Sequence, residues 1–207
     1  MWRSLPVALP PRVQCVPSLR NMAAPALDIE DHTQLLAYLR ATERIGSSET
    51  PAFRTLGGGV SNRAVRVDRA NGEGWVMKQA LGKLRVKVDW FSDPARIEHE
   101  AMALRVLPAL VWPGAVTPLV LEDRDEHILA MQSVPEPHDN WKTQLLAGEV
   151  SSELLTQFGR LLGTIHSESR KREVELSPLF ADRRFFETLR VEPYYTYTAT
   201  QVPDAAT

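Results

Sequence analysis

Three groups of residues could act together. The first is the run Gly57-Gly58-Gly59-Val60-Ser61-Asn62. Successive glycines let a backbone pass close to a ligand and turn its N–H groups toward an anion. Ser61 adds a hydroxyl donor. The second is Lys78, an ammonium among apolar neighbours in Gly74-Trp-Val-Met-Lys-Gln. The third is Glu100. Ile97, Ala101, Leu104 and Leu107 recur at helical spacing, and Glu100 falls inside that stripe, three residues after Ile97 and four before Leu104. A carboxylate on a buried helix face needs a cation or loses its charge. Lys78, 22 residues earlier, is the available partner. Glu98 lies about 100° round the helix from its neighbour and is expected to be the more exposed of the two glutamates. Each group also has a plainer reading: a hairpin turn, a solvent-facing strand lysine, a glutamate at the edge of its stripe. Jointly they offer an anion-binding loop with a lysine–glutamate pair behind it.

Other chemistries find less support. His32, His99, His127, His138 and His166 are scattered without metal-ligand spacing. There is no Gly-x-Ser-x-Gly nucleophile elbow. The glycine run precedes a strand rather than a helix and lacks the Gly-Lys-Ser/Thr of a P-loop, so neither phosphate fingerprint applies. The single cysteine, Cys15, excludes a disulfide framework and a Cys-based zinc site. Net charge is −2 over 207 residues, which leaves no global basic field for nucleic acid or anionic lipid. The basic clusters at 83–87 and 170–172 read as solvated surface. No apolar run reaches the roughly 18 residues of a membrane span. Hydrophobic residues at 43% and charged residues at 24% exclude wholesale disorder. A soluble, cytoplasmic protein with no nucleic-acid or membrane partner is the expectation.

The elements that must position these residues follow from periodicity. Residues 28–41 read as a helix capped by Asp28 or Asp31, with Leu35, Leu36 and Leu39 as its stripe. Strands are expected at 53–56, 61–68 and 75–80, the last two joined by the turn Ala70-Asn71-Gly72-Glu73-Gly74. Asp93 caps a helix that takes Pro94 in its first turn and stops at Pro108. Strands at 116–121 and 127–133 follow, joined by the charged turn 122–126. Helices are expected at 140–148, 151–167 and 182–190, and residues 191–207 carry no strong helix or strand signal. The fold class is α+β: a five-stranded antiparallel sheet with one inserted helix, then helices. Residues 1–27 read as a disordered tail, with Met22 as the candidate true start.

The order of glycine loop, strand lysine, helix glutamate, two strands and a proline-containing hinge resembles a known family. It is similar to the kinase-like small-molecule phosphotransferases: aminoglycoside phosphotransferases, choline kinases and methylthioribose kinases. The words carrying the resemblance are Leu56-Gly-Gly-Gly-Val-Ser-Asn62, Val76-Met-Lys-Gln-Ala-Leu81, Ala95-Arg-Ile-Glu-His-Glu-Ala-Met-Ala-Leu104 and Phe158-Gly-Arg-Leu-Leu-Gly-Thr-Ile-His166. The resemblance implies a nucleotide-binding small lobe over residues 28–134 and a hinge with an incomplete helical lobe over 135–207. It implies that Gly57, Gly58, Gly59 and Ser61 cover the phosphates of ATP. Lys78 would bridge the α- and β-phosphates, held by Glu100, and Val76 would lie against the adenine. Gln132, Ser133 and Val134 would form the hinge at the adenine edge. His166, at a helix end, would be structural.

The family also implies magnesium, and a catalytic His-x-Asp-x-x-x-x-Asn loop with a later Asp. The loop is not found after the hinge, where no histidine and only Asp182 and Asp204 follow His166. His138-Asp139-Asn140 has the wrong spacing and comes too early. The expectation is a fragment of an ATP-dependent enzyme that phosphorylates a hydroxyl of a small molecule, with no catalytic residue or metal ligand of its own. The alternative is a non-catalytic nucleotide-binding or protein-interaction module.

Overall fold

The computed structural model describes residues 27–202. The expected tail, with Cys15 and Met22, lies outside the described residues, Leu27 apart.

Alternation builds the sheet. In β2 (Asn62–Asp68), Val65 and Val67 are fully buried while Arg66 and Asp68 reach outward. In β3 (Gly74–Ala80), Trp75, Met77 and Gln79 point to that same face, and Val76 and Lys78 to the other. The hairpin between them closes through Gly72, whose φ of +88° only glycine adopts without strain. With β1 (Ala52–Thr55), β4 (Leu119–Asp123) and β5 (Ile128–Gln132), these strands form one antiparallel sheet in the order β1-β2-β3-β5-β4.

Each face takes a helix. On one side α1 (His32–Ala41) buries Leu35 and Leu39, with Ile29 and Ile45, against Val65, Val67, Met77, Ile128 and Ala130. Asp31 is its N-cap, accepting from the amides of Thr33 and Gln34 at 2.9 and 3.2 Å. The helix therefore begins four residues later than 28, and Asp28 instead accepts from the Glu30 amide in the preceding turn at 2.9 Å. The buried Gln79 amide pins that turn to the sheet by donating to the Leu27 carbonyl at 2.8 Å.

On the other side, α2 (Ile97–Val106) packs Ile97 and Ala101 on Ala80 and Leu129. It opens through a 3₁₀ turn, Pro94–Arg96, capped by Asp93, which accepts from the Ala95 amide at 2.9 Å. Pro108 sits in a second 3₁₀ turn, Leu107–Ala109, beyond the end of α2.

The fourth strand departs from expectation. Glu122 and Asp123 belong to β4, not to a turn, and pair with Leu129 and Ile128. Arg105 of α2 neutralises the largely buried Glu122, and the Tyr38 hydroxyl donates to Asp123 at 2.8 Å. Partners remote in sequence make these acids tolerable in a strand.

Beyond β5 the chain is helical: α3 (Trp141–Leu146), α4 (Ser152–Lys171) and α5 (Glu173–Phe180). Helix α5 was not among the expected elements, and it carries Pro178 inside it. Residues 184–201 are helical throughout, with a π-wound stretch Glu187–Thr196. The irregular structure expected from 191 is thus replaced by helix as far as Gln201. Among the described residues no helix is long and apolar enough to cross a membrane.

Candidate functional site

The lysine and the glutamate meet. Lys78 stands mid-strand in β3, between Ala64 of β2 and Leu129 of β5, so two flanking strands fix its direction. Glu100 lies in the first turn of α2. Lys78 Nζ donates to Glu100 Oε1 at 2.5 Å. Glu98 turns elsewhere, toward Arg124 at 3.6 Å, which also reaches Glu122. The helical phase read from the stripe is correct, but the burial is not. The Glu100 side chain is 35% exposed and that of Glu98 33%. Glu100 sits at the edge of the apolar stripe, where its carboxylate keeps contact with water. With the Lys78 side chain 28% exposed, such a pair contributes at most about 1 kcal/mol to stability.

The glycine run forms the exposed tip of the β1–β2 connection. The Leu56 amide donates to the Ala64 carbonyl at 2.8 Å and closes its base. Gly58 has φ +89°. A Cβ on Gly57 or Gly58 would meet nothing within 4 Å, so the loop has open space above it. The Ser61 carbonyl is engaged by the Leu81 amide at 3.0 Å. Its hydroxyl has no hydrogen-bond partner among the described residues. Val76 lies half-buried on the face of Lys78, opposite Met131.

At the far end of β5 the Gln132 amide donates to the Pro118 carbonyl at 2.9 Å, and the Ser133 amide to the Gly74 carbonyl at 2.8 Å. The exposed Val134 amide has no such partner among the described residues. Glu136 is drawn back to the sheet by Arg66 at 2.9 Å and Arg54 at 3.2 Å. Sequence reasoning missed one contact here. A Cβ on Gly74 would stand 2.2 Å from Ser133 Oγ, so this glycine lets the start of β3 lie against the end of β5. Its place beside a hairpin turn suggested only turn chemistry.

Two clefts open from these elements. One, of about 830 Å³, runs from Ser61 past Arg96 and Glu100 to Phe185, Tyr194 and Tyr197. His99 meets Phe185 edge-on there, ring centroids 5.1 Å apart. The second, of about 540 Å³, lies between Trp112, Asp139 and Trp141 on one side and Phe158 of α4 on the other. His138 and Asn140 serve local structure: the His138 ring lies 3.1 Å from the Pro135 carbonyl, and Asn140 caps α3 through the Lys142 amide at 3.0 Å. His166 is exposed in the body of α4, not at its end. Among the described residues no group of three His, Cys, Asp or Glu side chains is placed to hold a metal ion.

No family model matches the chain, and no curated protein matches it. The fold and the site define a class by themselves. It is an α+β protein whose antiparallel sheet carries a lysine–glutamate pair, with a glycine-rich hairpin loop at the sheet edge.

Proposed function

We propose that residues 28–134 form the nucleotide-binding lobe of an ATP-dependent phosphotransferase of the aminoglycoside phosphotransferase-like type, acting on a hydroxyl of a small molecule. The observation that carries this reading is the 2.5 Å contact between Lys78 on β3 and Glu100 on α2. It comes in the same sheet as an exposed glycine loop and an unpartnered Ser61 hydroxyl. In this reading Glu100 keeps the ammonium charged and aimed, and Lys78 meets the α- and β-phosphates. The loop amides and Ser61 close over them. Val76 offers an apolar surface to the base, and the Val134 amide is the donor left for its edge. A cytoplasmic location belongs to the same reading and rests on the single cysteine.

The described residues supply binding and charge neutralisation. Magnesium, which this chemistry uses, has no group of three His, Cys, Asp or Glu side chains to hold it among them. Titration calorimetry with a non-hydrolysable ATP analogue tests the reading. The unsubstituted chain is expected to bind, and Lys78→Met to lose about 1.5–3 kcal/mol of binding, the worth of a hydrogen bond to a charged group. Equal affinity in both would remove the assigned role. A phosphate-transfer assay on small alcohols then separates an enzyme from a binding module.

A further inference from the structure

Arg96 is the last residue of the 3₁₀ turn before α2 and only 8% exposed. A guanidinium held so far from water is costly unless its donors are used. Its partners are unusual. Nη1 donates to the carbonyls of Ser92 and Asp93, at 3.3 and 3.2 Å. Nη2 donates to the Ser61 carbonyl and, at 3.5 Å, to Asn62 Oδ1. Among the described residues no carboxylate forms an ion pair with it. Burial accordingly pulls the guanidinium below its ordinary range, opposed only by the charge of Asp93.

A buried arginine satisfied by neutral carbonyls adds little stability over a well-packed apolar side chain of similar volume. Its position offers the reason for it. Ser61 and Asn62 are the exit of the glycine loop into β2. Glu100 stands four residues after Arg96, so the two side chains lie along one face of the helix. One grips the loop exit and the other grips Lys78. Both border the same cleft.

We propose that Arg96 is a positioning residue that clamps the exit of the glycine loop to α2, so that the Ser61 donor and the Lys78–Glu100 pair are set by one helical turn. This rests on the nucleotide reading for its purpose, not for its geometry. The clamp makes α2 a lever. A shift of the helix that loosens Glu100 from Lys78 also releases the loop, so the two halves of the phosphate site form or dissolve together.

The test uses the full chain with Arg96→Met, Arg96→Lys and, as a control on the same helix, Glu98→Gln. Amide shifts and hydrogen exchange of residues 57–62 are read by NMR without ligand, and ATP-analogue affinity by calorimetry. Arg96→Met is expected to speed exchange in the loop and to weaken binding roughly tenfold or more, as loss of charge-assisted bonds would. Arg96→Lys should restore part of both, since an ammonium can still donate to the Ser61 carbonyl. Glu98→Gln should change neither. Loop amides in Arg96→Met that match the unsubstituted chain would overturn the clamp, whatever happens to its melting temperature. Should Arg96→Met fail to fold, Arg96→Lys carries the comparison, with a smaller expected change in the same direction. No analogue binding by the unsubstituted chain would sink the nucleotide reading alone, because the ligand-free loop amides still report the clamp.

Discussion

Helices α1 and α4 both carry a leucine stripe, and they meet opposite fates. In α1, Leu35 and Leu39 are completely buried beneath the sheet. In α4, twice as long, no residue is buried, and Leu154, Leu155, Phe158 and Leu162 remain exposed. The contrast extends to the regions around them. Among the described residues, every buried apolar side chain but Leu176 precedes the end of β5. An apolar stripe states a demand for cover, and only a partner meets it. The sheet offers two faces and fills both, with α1 on one and α2 on the other. Helix α4 has neighbours along part of its length, such as Trp141 against Phe158 at 5.2 Å between ring centroids, and no surface broad enough to close its stripe.

The sharpest way to break this contrast is truncation on each side. Leu39→Ala is expected to cost about 2–5 kcal/mol, as emptying a packed site does. Leu162→Ala should stay within roughly 0.5 kcal/mol. Urea denaturation measures both, and equal losses would show that α4 is packed after all.

Gly74→Ala comes next. With Ser133 Oγ only 2.2 Å from the new methyl, overpacking should cost about 1–3 kcal/mol. Ser133→Gly in the same chain should recover most of it. A double-mutant cycle without coupling would mean that the β3–β5 approach is looser than described.

Tyr38 gives a pH signature confined to the sheet region. Burial first, then the charge of Asp123, raises its ionisation far above the ordinary value. The folded state therefore holds this proton more tightly than the unfolded chain does. That stability is complete below the unfolded value of about 10 and is lost as pH rises past it. Unfolding midpoints across roughly pH 8 to 11 should fall in the unsubstituted chain and flatten in Tyr38→Phe, which itself costs about 1 kcal/mol at neutral pH.

Lys78→Met should cost the sheet region little stability, under about 1 kcal/mol for a pair one-third exposed. Its effect belongs in ligand affinity. A large loss of stability without change in affinity would make Lys78 a structural residue.

Much of the sheet region was readable in advance. Val65 and Val67 alternating with Arg66 and Asp68 announce a strand, Asn71-Gly72 a hairpin, and Asp93-Pro94 a helix start, because each signal is local. The phase of Glu100 was readable too, since a helix repeats with a fixed angle. Its exposure was not, because the edge of a stripe depends on how the sheet lies beneath it. Glu122 and Asp123 passed for a turn because their partners, Arg105 and Tyr38, are 17 and 85 residues distant. Arg96 gave no signal at all, as an arginine beside a helix cap is ordinarily solvent-facing.

The sequence by itself determined which residues alternate, which turn, and which helix face each apolar side chain occupies, because backbone geometry sets those within a few residues. Tertiary structure alone decided which charges are neutralised in the interior, which stripe finds cover, and that Lys78, Glu100 and the loop exit at Ser61 are tied through one helix. Those outcomes depend on contacts between segments 17 to 85 residues apart. No local propensity encodes such contacts, since they exist only once the sheet has closed and α2 has docked on it.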